Sequence, residues 1–212
     1  MGCFRGEVAT QIAQNALFVD TCPTKAEASE FSCIEGFYIL IRFVLLRVIC
    51  IFSPDKSKFT GMIIGKHYRF GFDIWALVLF VAVMIPTVIW TFVPAPNDIL
   101  RTGSVTPTVD SVASVLQSIA IACLCIVINN DAGKVRFSPL VIISALFVLI
   151  YYAGWAVYYS GINTPWVILL LTVPPCLALI LYATDRKNVP ALILAIGFTI
   201  CHLVFAIVNF IR

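Results

Sequence analysis

The last third of the chain, residues 139–212, reads PLVIISALFVLIYYAGWAVYYSGINTPWVILLLTVPPCLALILYATDRKNVPALILAIGFTICHLVFAIVNFIR. Three apolar stretches follow one another here, and connections of only about five residues join them. Each stretch has the roughly twenty residues that an α-helix needs to cross about 30 Å of hydrocarbon. This part of the chain therefore predicts three consecutive transmembrane helices.

The composition of the whole chain agrees with this prediction. Hydrophobic residues make up 61% of the 212 residues and charged residues 12%, about half the charged share of ordinary soluble domains. The net charge of +3 is small, and the basic residues cluster between the apolar stretches. The sequence thus predicts a polytopic α-helical membrane protein, with the lipid bilayer and not nucleic acid as its partner.

Five spans are predicted, in an all-α integral membrane bundle that forms a single transmembrane domain over residues 36–212. A polar N-terminal segment, residues 1–35, precedes it. Proline stands at or just before three of the span starts, where its missing N–H costs nothing. Asp110 is placed to cap the second span. The predicted spans are Phe72–Val93, Ser111–Ile128, Pro139–Tyr159, Trp166–Ala183 and Val189–Ile211.

One further segment, Phe37–Phe52, is ambiguous. Its twelve Leu, Ile, Val and Phe residues favour insertion by about 4 to 7 kcal/mol, whereas Arg42 and Arg47 oppose it by about 5 to 7 kcal/mol. The two contributions nearly cancel. The segment is therefore either a helix lying in the interface or a sixth span, and the side of the N-terminus stays open.

The charges of the connections predict the orientation of the bundle. Basic connections alternate with connections that have no excess of basic residues, and basic connections face the cytoplasm. We therefore expect the 53–71 connection to be cytoplasmic, and the Ile162–Pro165 turn and the C-terminus to lie outside. An aromatic belt is then expected at the outer interface, formed by Trp90, Tyr158, Tyr159 and Trp166.

A faint internal repeat is visible in two of the basic connections. Residues 130–134 lead to a span that begins at Pro139, and residues 184–187 lead to one that begins near Pro190. Duplication of a helical hairpin is one interpretation. The same turn chemistry arising twice independently is the other.

Polar and proline residues predict a layer of unpaired groups in the outer half of the bundle. Pro86 and the Pro174-Pro175 pair free the carbonyl groups of residues four positions earlier, and these groups need partners in lipid. His202 lies about 14 Å from the outer end of its span. We expect it to donate to the Leu170 and Leu171 carbonyls that the proline pair frees, and to border one cavity with Tyr152 and the Pro174-Pro175 break. The candidate ligand-binding residues are His202, Tyr152, Tyr151, Trp155, Gln117, Thr172, Pro174 and Pro175.

Structural roles compete with these functional ones. A neutral His202 can serve as an interhelical hydrogen-bonding residue, and Gln117 is more typical of helix–helix contacts than of ligand binding. The aromatic residues at i, i+4, i+8 and i+11 from Phe147 are more typical of packing and of an interface belt than of a binding cage.

Signatures of catalysis and of metal binding are missing from the sequence. It contains no H-E-x-x-H, no G-x-S-x-G and no phosphate-binding glycine loop. None of the eight cysteines forms a C-x-x-C pair. We therefore expect a protein without enzymatic activity, metal or cofactor.

The chain from Tyr151 onward resembles small bacterial membrane proteins that have no assigned activity. The motifs that carry the resemblance are YYxxWxxYYxG at residues 151–161, PPC at 174–176, DRKN at 185–188 and His202. The resemblance implies a bacterial cytoplasmic membrane and no particular activity.

The leading functional hypothesis is a protein that binds or transports a small, largely apolar solute through an outward-facing pocket. The alternative is a non-transporting accessory or scaffold subunit without a ligand. A third interpretation, the substrate-capture subunit of a larger importer, suits the size of the chain. A homo-oligomer and a larger membrane complex are both compatible with the sequence.

Overall fold

The computed structural model describes residues 63–64, 67–133, 135 and 137–211. The N-terminal segment and Phe37–Phe52 lie outside the described residues. Five helices in the described part are long and apolar enough to cross a membrane. They are α1 (Ile74–Phe92), α2 (Pro107–Ile126), α3 (Pro139–Tyr159), α4 (Pro165–Asp185) and α5 (Val189–Ala206), which continues as a π-helical turn over Ile207–Ile211. The predicted all-α membrane bundle is confirmed, and the protein is an integral multi-pass membrane protein.

Proline begins most of these helices, as expected. It occupies one of the first two positions of α2, α3, α4 and α5. The prediction for α2 was wrong in detail, because this helix begins at Pro107 with Thr106 as its N-cap residue. Asp110 consequently lies within the first turn and does not cap the helix.

A small antiparallel sheet, absent from the prediction, closes one end of the bundle. Its strands are β1 (Ile63–Ile64), β2 (Tyr68–Phe70) and β3 (Val127–Asn129), paired in the order β1-β2-β3. Strand β3 directly follows α2, so the helix ends two residues before the predicted Ile128. The end of the bundle that carries the sheet is called the sheet end below, and the opposite end, which carries the 93–106 connection, is called the loop end.

Helix α4 is the centre of the bundle. Its apolar stretch is 61% buried, against 22 to 28% for the other four helices. Helices α3 and α5 pack on α4, and α2 packs chiefly on α5. Helices α4 and α5 thus form a packed hairpin, whereas α2 and α3 contact other helices. This difference argues against a duplicated hairpin and favours independent turn chemistry.

Hydrogen bonds at the sheet end connect residues far apart in sequence. Asp73 caps α1 by accepting from the backbone N–H groups of residues 75 and 76. The same carboxylate accepts from the Tyr182 hydroxyl at 3.0 Å and from Nε of Arg186 at 3.1 Å. Asn188 caps α5, and its Nδ2 donates to the carbonyl oxygens of Cys123 and Val127 at 3.0 and 2.8 Å. Helix α2 ends at Ile126 because Asn188 and the sheet replace its intrahelical bonds.

A glycine brings α3 and α4 into close contact near the prolines of α4. A Cβ atom on Gly154 would lie 3.1 Å from Cβ of Leu170 and 3.3 Å from the Leu170 carbonyl oxygen. This carbonyl is one of those that Pro174 and Pro175 release from the helical pattern. The backbone of α3 therefore covers a freed carbonyl, and only a residue without Cβ permits that approach.

Candidate functional site

A cavity of about 310 Å³ lies in the loop-end half of the bundle. All five helices contribute to its walls, together with residues 100–104 of the 93–106 connection. Its volume falls at the lower limit of small-molecule sites, about 300 to 1,000 Å³. The walls are mainly apolar and aromatic. Their aromatic, polar and charged side chains include Thr87, Trp90, Arg101, Asp110, Tyr151, Trp155, Thr172, His202, Phe205 and Phe210.

Four of the eight candidate residues line this cavity: Tyr151, Trp155, Thr172 and His202. Tyr151 and Trp155 are one turn apart on α3, so both point to the same side of that helix. Thr172 comes from α4 and His202 from α5. Three separate helices thus bring these side chains to the wall of one cavity.

The aromatic side of the cavity is a connected cluster of rings around Trp155. Its ring centroid lies 6.2 Å from that of Tyr151 and 5.7 Å from that of Tyr158, both edge-to-face. Trp90 and Tyr159 lie 6.3 and 6.0 Å away in tilted contacts. Such contacts hold large rings in fixed orientations, so this wall of the cavity is preformed.

His202 stacks along its own helix. Its ring lies 5.0 Å from that of Phe198 and 6.4 Å from that of Phe205, nearly parallel to both. Among the described residues, the imidazole has no hydrogen-bond partner. The expectation that it donates to the Leu170 and Leu171 carbonyls was wrong, because the stacked phenyl rings set the orientation of the imidazole.

Tyr152 lies outside the cavity, contrary to expectation, because it is next to Tyr151 on α3 and points to another side of the helix. Its side chain is exposed on the surface of the bundle, and its hydroxyl donates to the Ala82 carbonyl at 2.8 Å. Pro86 frees this carbonyl, so the predicted need for a partner is confirmed. The Tyr152 hydroxyl thus gives α1 the hydrogen-bond donor that Pro86 lacks.

The other three candidates do not line the cavity either. Pro174 and Pro175 are buried in α4, one turn toward the sheet end from the cavity wall. Gln117 borders a second, much smaller void of about 10 Å³ between α2, α4 and α5. That void has room for about one water molecule. Distance from the helix end thus did not predict which residues line the cavity, because Pro174 and Pro175 lie one turn away from its wall and Gln117 borders a different void.

Sequence reasoning missed Asp98, which organises the loop end. Its carboxylate accepts from Nε1 of Trp90 and the hydroxyl of Tyr158, both at 2.7 Å, and from Nε of Arg101 at 3.1 Å. Tyr158, expected in the aromatic belt, is fully buried for this reason. Trp166, by contrast, is 77% exposed, as a belt residue would be. The sequence contained one signal for this role of Asp98, namely an acidic residue at the same membrane level as several aromatic side chains.

Arg101, which lines the cavity, completes this group. Its guanidinium donates to the Trp90 and Thr91 carbonyls at 2.7 and 3.2 Å, and it lies 5.0 Å above the Trp90 ring. These carbonyls are among the last of α1, where a cation is favourable. The arginine is thereby fully engaged in holding the 93–106 connection against α1.

The arrangement has the chemistry of a binding site. Aromatic rings and aliphatic side chains provide apolar contact, and a few polar groups can orient a bound molecule. Comparison with known protein families, with curated proteins and with solved structures finds no match to this chain. The bacterial resemblance of the C-terminal third remains a prediction, and the case for function depends on the cavity alone.

Proposed function

We propose that this membrane protein binds or transports a small, largely apolar solute in the loop-end cavity. The observation that carries the proposal is the convergence of five helices on one cavity of about 310 Å³ with aromatic walls. An ordinary helix–helix core is close-packed and leaves few voids larger than a water molecule. A cavity of this size with ordered walls is therefore better explained by an occupant than by imperfect packing.

The proposal includes an orientation, with the sheet end in the cytoplasm and the cavity toward the outside. The distribution of basic residues supports it: Arg69, Arg186 and Lys187 lie at the sheet end. At the loop end, Arg101 is balanced by Asp98. The bacterial cytoplasmic membrane is the proposed location, in line with the resemblance of the C-terminal third.

A thermal-shift experiment on the purified protein tests the proposal. Small aromatic and aliphatic compounds would be screened for those that raise the melting temperature of the wild type. Ala206→Phe would fill the cavity, because Ala206 is buried and lines it. Ala153→Phe is the matched control, because Ala153 is exposed on the outer face of α3.

We expect the shift to disappear in Ala206→Phe and His202→Ala and to persist in Ala153→Phe. A shift that persists in both cavity variants would mean that binding occurs elsewhere. If no compound of the panel shifts the wild type, the accessory or scaffold function takes precedence.

One observation favours that second function. Several strongly polar side chains in the described part already connect one helix to another, as Asp73, Asp98 and Asn188 do. Such residues stabilise a bundle without needing a ligand. The scaffold hypothesis predicts large losses of stability when they are replaced, and no compound that binds the cavity.

A further inference from the structure

The polar groups around the cavity are, with few exceptions, already engaged. The hydroxyl groups of Thr87 and Tyr151 share a hydrogen bond of 3.1 Å, and Thr172 donates to the Ile168 carbonyl at 2.8 Å. The Thr91 and Thr102 hydroxyls likewise donate to backbone carbonyls. These side chains contribute to the shape of the cavity. Each hydroxyl group already has a hydrogen-bond partner, so none of them requires one from a ligand.

Two accessible polar side chains of the cavity differ from the rest. The Asp110 carboxylate and the His202 imidazole have no hydrogen bond or ion pair with any residue that the structure describes. Nε1 of Trp155 has no hydrogen-bond partner in the described part of the chain either, but it is buried within the aromatic cluster. A carboxylate accepts hydrogen bonds and carries negative charge when ionised, and a neutral imidazole offers one accepting nitrogen.

No cation among the described residues compensates the charge of Asp110. Arg101 is the cation in the cavity wall, and Asp98 neutralises it at 3.1 Å. Asp98 in turn holds Trp90 and Tyr158 and is therefore not free to release the arginine. Among the described residues, Arg101, Asp110 and the adjacent Asp98 together therefore carry a net negative charge when Asp110 is ionised, although Asp98 itself does not line the cavity.

The position of Asp110 in the first turn of α2 accounts for part of this charge, because helix N-termini favour anions. It does not account for all of the charge, since Thr106 is the N-cap residue and the Asp110 carboxylate accepts from no backbone N–H of the described residues. Ionisable residues at membrane level usually pair with another group or mark a pathway. The cavity beside Asp110 is where such a counter-ion can lie.

The rings of the cavity complete the recognition of a cation. Trp90, Tyr151, Trp155, Phe205 and Phe210 all line it. Aromatic faces attract organic cations, and aromatic cages that bind quaternary ammonium groups use this attraction. The rings also provide the apolar contact that the rest of such a molecule needs.

We infer that the cavity binds a lipophilic organic cation, a molecule that joins a protonated or quaternary amine to an apolar body. The inference rests on the proposed function and specifies its ligand class. Asp110, about 5 Å into α2 from the loop end, lies beside the charged nitrogen. The apolar body extends between the aromatic rings toward His202. This residue lies about 14 Å along its helix from Ile211.

Two probes of nearly the same shape test this inference. Benzyltrimethylammonium carries a permanent charge, and neopentylbenzene replaces its nitrogen by carbon. Binding to the full-length protein in nanodiscs would be followed by tryptophan fluorescence, since Trp90 and Trp155 line the cavity. The variants are Asp110→Asn, which removes the charge, and Asp131→Asn, a matched control at an exposed sheet-end position.

We expect the wild type to bind the cation at least about tenfold more tightly than the neutral probe. Asp110→Asn should lose this preference, and Asp131→Asn should keep it. Equal or tighter binding of the neutral probe, or a cation affinity unchanged in Asp110→Asn, overturns the cation inference and leaves the proposed function standing. If neither probe binds the wild type, the cation inference is overturned. If no compound is found by thermal shift either, the proposed function is overturned as well.

Discussion

At the scale of single residues, the carbonyl that a proline frees in α1 is matched by a specific donor from another helix. Pro86 removes a hydrogen bond from α1, and the Tyr152 hydroxyl replaces it at the Ala82 carbonyl. That a carbonyl would be freed is predictable, because proline chemistry is local. The identity of the partner is not, because the order of helices around the bundle depends on contacts between residues 70 positions apart.

The first prediction concerns this pair. Tyr152→Phe should lower the free energy of unfolding by about 1 kcal/mol, because the Ala82 carbonyl loses its donor in lipid. In a Pro86→Ala background the same change should cost almost nothing, because residue 86 then has an N–H group that bonds to Ala82. Unfolding in mixed micelles with increasing SDS measures both values. Equal costs in the two backgrounds would contradict the assignment.

A second prediction at this scale concerns Tyr182, whose hydroxyl donates to the Asp73 carboxylate. Tyr182→Phe should lower the free energy of unfolding by about 1 to 2 kcal/mol, as expected for a hydrogen bond to a charged group inside a membrane protein. Tyr68→Phe is the control, because the Tyr68 hydroxyl has no partner among the described residues. The same SDS titration applies, and a loss in the control as large as in Tyr182→Phe would remove the explanation.

At the scale of elements, helix bounds follow closely from the sequence, and helix faces do not. Apolar length and proline positions predict the starts of α3 and α5 to the residue. Strand β3 was missed because its residues, Val127–Asn129, continue an apolar stretch, and only pairing with β2 and the bond from Asn188 end the helix there. Tertiary contacts thus override a local pattern that favours helix.

The close contact of α3 and α4 gives a prediction about elements. Gly154→Ala should destabilise the protein by about 1 to 3 kcal/mol, because the added methyl group would press on Leu170. Gly197→Ala is the matched control, since its Cβ would meet Leu116 at an ordinary 3.5 Å. Alanine is also the better helix former, by about 1 kcal/mol. We therefore expect thermal unfolding to rank Gly197→Ala above the wild type and Gly154→Ala below it; the reverse order would contradict the packing.

At the scale of the whole molecule, polar contacts are concentrated at the two ends, and the cavity belongs to one of them. The sheet end is held by Asp73, Arg186 and Asn188, and the loop end by Asp98. The distance of a candidate residue from the end of its helix could be predicted because helical rise converts sequence position into distance. The role of Asp98 could not, since Tyr158 follows it by 60 residues.

Orientation yields the prediction at this scale. In a background without native cysteines, Ser160→Cys at the loop end should react with an impermeant thiol reagent in intact cells. Asp131→Cys at the sheet end should react only after permeabilisation, because basic connections stay in the cytoplasm. Both native side chains are exposed, so access does not differ between them. Labelling of Asp131→Cys alone in intact cells would reverse the orientation.

The bonds of Asp73 also have a consequence for biosynthesis. Its partners Tyr182 and Arg186 leave the ribosome 109 and 113 residues later, which at about 5 to 20 residues per second is a delay of roughly 5 to 20 s. During that interval the Asp73 carboxylate can bond only to the first N–H groups of α1. Helices α1 to α3 therefore enter the membrane before its bonds with Tyr182 and Arg186 can form. A nascent chain arrested before residue 182 should therefore be degraded by membrane proteases faster than one arrested after α5 has emerged. Resistance of the whole chain to these proteases would then depend on synthesis of the last hairpin, α4 and α5.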